Sequence, residues 1–175
     1  MSVMMKALRY EGPKQMNIRE VPVPELHEDE VLIEVAYAGI CGSELSGYLG
    51  QNSLRVPPLT MGHEFSGRIV KLGAGASDFV IGQQVTANPL ISCRSCRFCL
   101  SGKAQLCSKR QLLGAHLSGA YAKYVAVPRS NVIVLPERVS LREAALTEPL
   151  ACAVHIANEA GLQPTDKLFI AGAGP

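Results

Sequence analysis

The 175-residue chain has no apolar run approaching the ~18 residues that would span a bilayer, so a membrane helix is excluded as its organising element. It has no internal repeat and no low-complexity tract, which sets aside solenoids and disordered linkers. At 47% hydrophobic and 18% charged, its composition is that of one globular domain, or one domain plus a remnant. The opening MSVMMKALRYEG reaches Lys6 too soon for a signal peptide, and a cytoplasmic location is expected. Acidic residues are missing between Asp78 and Glu137, whereas Arg94, Arg97, Lys103, Lys109, Arg110, Lys123 and Arg129 all fall in that gap. Few aromatics interleave with these cations and no nucleic-acid motif accompanies them. The stretch therefore reads as a solvated face beside an anionic site, and neither nucleic acid nor membrane is expected as a partner.

Cysteine is also scarce, except in SCRSCRFCLSGKAQLCSKR (92–110), which holds Cys93, Cys96, Cys99 and Cys107 while the rest of the chain has two. In a cytoplasmic protein thiols stay reduced, so the cluster points to metal rather than disulfides. The spacing Cys-x2-Cys-x2-Cys-x7-Cys lets one loop fold four sulfurs around a tetrahedral ion, a structural zinc closed to substrate. An iron–sulfur run would have a three-residue final gap followed by Pro; here the gap is seven and Ser108 follows. A zinc tetrathiolate carries charge minus two, which gives the neighbouring cations a partner.

Most of the first 136 residues read as short strands with Gly and Pro turns. MMKALRY, MNIREV, DEVLIEVAYAGI, EFSGRIVKLG, QQVTAN and GAYAKYVAVPRSNVIVLP carry them, with Val31, Ile33, Val35 and Tyr37 on one side of the third. That pattern indicates a mainly β barrel or sandwich with short helices. The ending differs. SLREAALTEPLACAVHIANEAG has helical spacing, with Pro149 suited to the first turn, Gly161 to the stop, and Leu150, Val154 and Ala157 expected in the core. DKLFIAGAGP then reads as a short strand entering Gly172 and Gly174, the start of either a phosphate-binding turn or an ordinary one.

Two further stretches place soft ligands among glycines, AGICGSEL (38–45) and LTMGHEFSGRIVKLGAGA (59–76). Cys41, His63 and Glu64 could share one zinc with a position left open. Taken singly, Cys41 equally fits a small buried hydrophobe and His63 a hydrogen-bonded core histidine. Cys152 and His155 read as a packed thiol beside a core or substrate-facing histidine, His116 as a loop residue and His27 as solvated.

GHEFSGRIVKLGAGA resembles the zinc signature of the medium-chain alcohol dehydrogenase superfamily, and CGSE resembles that family's segment upstream. The four-cysteine lobe stands where that family has one, TEPLACAVH resembles its polyol branch, and FIAGAGP resembles the opening of its nucleotide-binding fold. The resemblance implies a partly open GroES-like barrel over 1–147, followed over 148–175 by a helix and the first strand of a truncated Rossmann α/β domain. It implies a catalytic zinc on Cys41 and His63 with Glu64, and Glu148 as a ligand or as the holder of the metal's water, the two carboxylates being unranked. Ser43, otherwise a turn or cap serine, would pass a proton to solvent. Gly172 and Gly174 would open the site for NAD or NADP. The implied activity is oxidation of a small secondary alcohol or polyol by hydride transfer, by a homo-oligomer in which this half alone is inactive or nearly so. A zinc-stabilised barrel acting as a binding or assembly module is the alternative. Three departures from the pattern stand out: Glu44 where Asp or His is usual, Gln83 in place of an Asp, and Lys123 where an acid is common.

Overall fold

Residues 2–172 are described by the computed structural model, and ten short strands carry most of the first 134. In chain order these are β1 (Met4–Gly12), β2 (Gln15–Pro22), β3 (Glu30–Ala38), helix α1 (Gly42–Tyr48), β4 (Leu59–Thr60), β5 (Phe65–Leu72) and β6 (Gln84–Ala87). There follow β7 (Leu90–Ile91), α2 (Arg97–Leu100), β8 (Gln111–Leu112), β9 (Tyr124–Pro128), β10 (Val132–Val134), α3 (Leu141–Ala144) and α4 (Thr147–Glu159). The antiparallel order β10-β6-β5-β3-β9 forms the main sheet, β2-β1-β4 a second, and β7-β8 a ribbon at the base of the cysteine lobe.

The two larger sheets touch along one seam without closing. Leu8 N–H donates to Tyr121 O at 2.7 Å, Lys123 N–H to Lys6 O at 3.1 Å, and Val35 N–H to Lys123 O at 3.0 Å. The result is a partly open barrel, as the family resemblance implies. Its core is built from strand residues of alternate register: Val31, Ile33, Phe65, Ile69, Val85, Val125 and Val127 are all buried. Alternation along β3 ends early, because a bulge between Val35 and Tyr37 re-aims the strand and leaves Tyr37 exposed. A second cluster of Tyr10, Leu59 and Met61 fills the smaller sheet.

Beside His63 three glycines meet backbone to backbone. Gly62 and Gly114 take φ of +98° and +74°, and a Cβ on Gly114 would lie 2.7 Å from Gly62 N. A Cβ on Gly119 would press on Gly62 O and lie 2.7 Å from Met61 O. Gly119 N–H donates to Thr60 O and Ala120 N–H to Gly62 O, so the loop carrying His116 is stitched directly under the histidine.

The expected C-terminal helix is two helices. Pro149 has no N–H to offer Ala145, so the first turn sequence ends at α3 and a new helix starts at Thr147. Ser140 and Glu143 form a capping box on α3, while Gly161 follows the last turn of α4 at φ +64°. Two expectations are corrected here. Leu150 and Val154 are exposed rather than core, since no described element packs on that face of α4. Residues 166–172 form no strand, because a strand needs a ladder partner and none of the described residues supplies one; Phe169 is 90% exposed. Among the described residues no helix is long and apolar enough to cross a membrane.

Candidate metal centres

The lobe between β7 and β8 folds as the cysteine spacing demands. Each of Cys93, Cys96, Cys99 and Cys107 brings a sulfur within 4.8 Å of the others, and all four are free thiols. Cys96 Sγ lies 3.5 Å and Cys93 Sγ 3.8 Å from Cys99 Sγ. Zinc–sulfur bonds of about 2.3 Å in a tetrahedron require sulfurs about 3.8 Å apart, so the donor set fits that ion. Hydrogen bonds from the Ser95 backbone and hydroxyl hold the Cys93 thiol down at about 5, and the Ser92 hydroxyl lowers that of Cys99. Three of the neighbouring cations have local partners of their own. Arg94 donates to Ser130 O, Arg110 to Cys107 O, and Arg97 lies over the Phe98 ring at 4.6 Å.

The second cluster draws on segments far apart in sequence. Cys41 ends the connection from β3 and caps α1, its sulfur accepting from Ser43 N–H at 3.5 Å. His63 and Glu64 precede β5, and Glu148 sits in the first turn of α4, where the helix dipole favours its ionised form. One triad of ligand atoms is Cys41, Glu44 and His63; another is His63, Glu64 and Glu148. His63 belongs to both and so links Cys41 and Glu44 on one side to Glu64 and Glu148 on the other. Thiol, imidazole and carboxylate are the donor types of a zinc site with room for substrate. Ser43, in the first turn of α1, is half-buried beside them. It is not the helix cap, because Cys41 takes that place.

The carboxylate of Glu44 ties the cluster together, a role the sequence reading did not assign. Its Oε2 accepts the Cys41 N–H at 3.0 Å, and its Oε1 lies 2.5 Å from His63 Nδ1. Engagement of Nδ1 leaves Nε2 of the imidazole as the free ligand atom. Arg55 Nη2 also reaches Glu44 Oε1, at 3.1 Å, and Ser43 Oγ at 3.0 Å. The Cys-x-x-Glu spacing of a capping box was the available signal for Glu44; nothing local marked Arg55. Burial alone would push the His63 pKa down, but the hydrogen bond and charge of Glu44, with the charge of Glu148, bring it above its ordinary value. Glu64 is raised by burial, with Glu148 and Glu44 adding to the effect. The Glu64 carboxylate packs against Gly39, whose N–H donates to Glu64 O at 2.8 Å and whose carbonyl accepts from the Tyr121 hydroxyl at 2.8 Å.

Other sequence candidates fall outside this cluster or at its edge. Cys152 is exposed, one helical turn beyond Glu148, and donates to its Oε1 at 3.6 Å. His116 accepts the Leu112 N–H at 3.1 Å in an exposed turn, and His27 is exposed. Gly172 has a φ of +101°, and Gly174 lies outside the described residues. The departures at 83 and 123 are absorbed: Gln83 Oε1 accepts Val80 N–H at 2.8 Å, and Lys123 Nζ lies 3.7 Å from Glu34.

The alcohol dehydrogenase GroES-like domain family matches residues 27–137. A sorbitol dehydrogenase from Halalkalibacterium halodurans is 40% identical over 98% of this chain and 50% of its own length. The crystal structure of galactitol-1-phosphate dehydrogenase from Escherichia coli superposes with a TM-score of 0.85 at 34% identity, over 90% of this chain and 45% of that one. An alcohol dehydrogenase from Escherichia coli CFT073, solved with NADH, gives a TM-score of 0.86 at 34% identity over 92% and 47%. The chain thus spans about half the length of the curated relatives it matches.

Proposed function

The chain belongs to the alcohol dehydrogenase GroES-like domain family, and on that footing we propose that it is the zinc-binding half of a dehydrogenase acting on a small alcohol or polyol. Cys41 and His63 hold a catalytic zinc together with Glu64, Glu148 or both, and Cys93, Cys96, Cys99 and Cys107 hold a structural one. The observation that supports this reading is His63 standing in two ligand triads, one with Cys41 and Glu44 and the other with Glu64 and Glu148. Zinc there supplies Lewis acidity toward an alcohol oxygen, and NAD or NADP supplies the hydride acceptor. The chain's own residues do the rest. Glu44 fixes the His63 ring so that Nε2 faces the cluster, and the Ser43 hydroxyl receives the alcohol's proton and hands it toward solvent. Gly172 and Gly174 are the residues this reading assigns to the nucleotide site, and the 175 residues alone transfer little or no hydride. A homo-oligomer in the cytoplasm is the assembly expected with this activity.

Zinc counting on protein purified without added metal tests the proposal. Two zincs per chain are expected, one lost in Cys41→Ala and the other in Cys107→Ala. A single zinc indifferent to Cys41 would overturn the dehydrogenase reading and leave a zinc-stabilised binding module.

A further inference from the structure

Arg55 lies in the connection between α1 and β4, in a segment without a sequence motif of its own, yet its side chain is 1% exposed. The segment is held in place by its own turn chemistry. Leu54 N–H donates to Asn52 Oδ1 and Arg55 N–H to Asn52 O, while Asn52 Nδ2 reaches Ser43 O at 3.5 Å. Entry of the arginine stem depends on Gly47 of α1, where a Cβ would lie 2.6 Å from Arg55 Cγ. A buried guanidinium normally satisfies its donors, but Arg55 Nε has no partner among the described residues. The placement is therefore set by what Nη2 holds. That one nitrogen donates to Ser43 Oγ at 3.0 Å and to Glu44 Oε1 at 3.1 Å.

We infer that Arg55 is a positioning residue for the Cys41–His63 centre, locking through a single nitrogen both the carboxylate that orients His63 and the hydroxyl of Ser43. Three donors from three segments converge on Glu44: the Cys41 N–H, the His63 ring and Arg55. With Arg55 in place the carboxylate has one available orientation, and that orientation sets the relation between the Cys41 backbone and the His63 ring. Ser43 Oγ, already accepting from a cation, has its own proton directed away from Arg55. A hydroxyl polarised in this way is a stronger donor than a free rotor. Without the guanidinium, Glu44 stays tied to Cys41 and His63 but loses its lateral stop, and Ser43 becomes free to turn.

The inference rests on the zinc reading above, and its test separates the two. Zinc affinity is measured by chelator competition at both centres of the 175-residue chain, for Arg55→Met, Arg55→Lys and Gly47→Ala. The four-cysteine centre serves as the internal control. Arg55→Met keeps the stem and removes the charge, and is expected to weaken the Cys41–His63 centre about 10- to 100-fold, the range seen for partners that orient a ligand. The four-cysteine centre should be unchanged. Arg55→Lys restores a cation and should recover most of that loss, which a packing role would not do. Gly47→Ala leaves the charge but obstructs the stem and should weaken the same centre, keeping the test alive if Arg55→Met fails to fold. Nitrogen-edited imidazole spectra add a readout independent of metal, since Arg55→Met should broaden or shift the His63 Nδ1–H signal. If unsubstituted protein binds no second zinc, the zinc reading fails. If it binds one and all three variants bind it equally well with an unaltered imidazole signal, the inference on Arg55 is refuted.

Discussion

Gly39→Ala is the most informative single change near the centre, because the atoms nearest the added methyl all belong to Glu64. An ideal Cβ at position 39 would press on the Glu64 carboxylate oxygen and lie 3.1 and 3.2 Å from Glu64 Cβ and Cδ. The backbone cannot retreat, since Gly39 N–H is bonded to Glu64 O and its carbonyl to the Tyr121 hydroxyl. The Glu64 side chain must therefore swing. Forcing it off its rotamer costs about 0.5–1.5 kcal/mol, and the overpacking brings the total to about 2 kcal/mol. At a urea slope of about 2 kcal/mol per molar the unfolding midpoint should fall by about 1 M. If Glu64 belongs to the zinc site, displacement of its carboxylate should also weaken that site about 10- to 100-fold, or about 1.4–2.8 kcal/mol. Chelator competition should show the loss at the Cys41–His63 centre alone. Gly67→Ala is the control: its Cβ would strike the Glu34 carbonyl, a backbone obstacle, and should lower overall stability without preference for either centre. Retention of both zincs at unchanged affinity in Gly39→Ala would refute the place given to Glu64.

Two further expectations concern the scaffold. The Arg19 and Asn17 hydrogen bonds hold the Glu11 carboxyl down at about 2 from its ordinary 4.5. A depressed carboxylate contributes stability above its unfolded value and loses it as pH falls from about 4.5 toward about 2. The gap in urea midpoint between the natural protein and Glu11→Gln should therefore be present at pH 7 and close over that window; a gap independent of pH would refute the assignment. Phe65 is 1% exposed at the centre of the main sheet, and Phe65→Ala should cost about 3–5 kcal/mol by equilibrium unfolding, with a loss under 1 kcal/mol contradicting the packing described.

How much was legible in the sequence depended on whether the signal was local. The long strands declared themselves through alternation, and β7, β8 and β4, two residues each, were too short to do so. The cysteine lobe was legible because its four ligands lie within fifteen residues, so spacing carries the geometry. Cys41 and His63 drew notice as ligand types, but the atoms organising them did not. Glu44 stood out only as a departure from the family pattern, yet its one carboxylate meets the Cys41 N–H, His63 and Arg55. Arg55 itself had no local mark, since its meaning lies in contacts with residues 43, 44 and 47 across a loop. The helical apolar positions of α4 misled in the opposite direction: periodicity tells which face is apolar, and only a packing neighbour tells whether that face is covered.

The three glycines packed beneath His63 limit how this centre can be redesigned. Positions 62, 114 and 119 admit no side chain without displacing main chain, so diversity introduced there would be spent on misfolded variants. Diversity meant to reshape the space beside the cluster belongs instead at Leu45 and Tyr48, which line a cavity with Ile40, Glu44 and Tyr121.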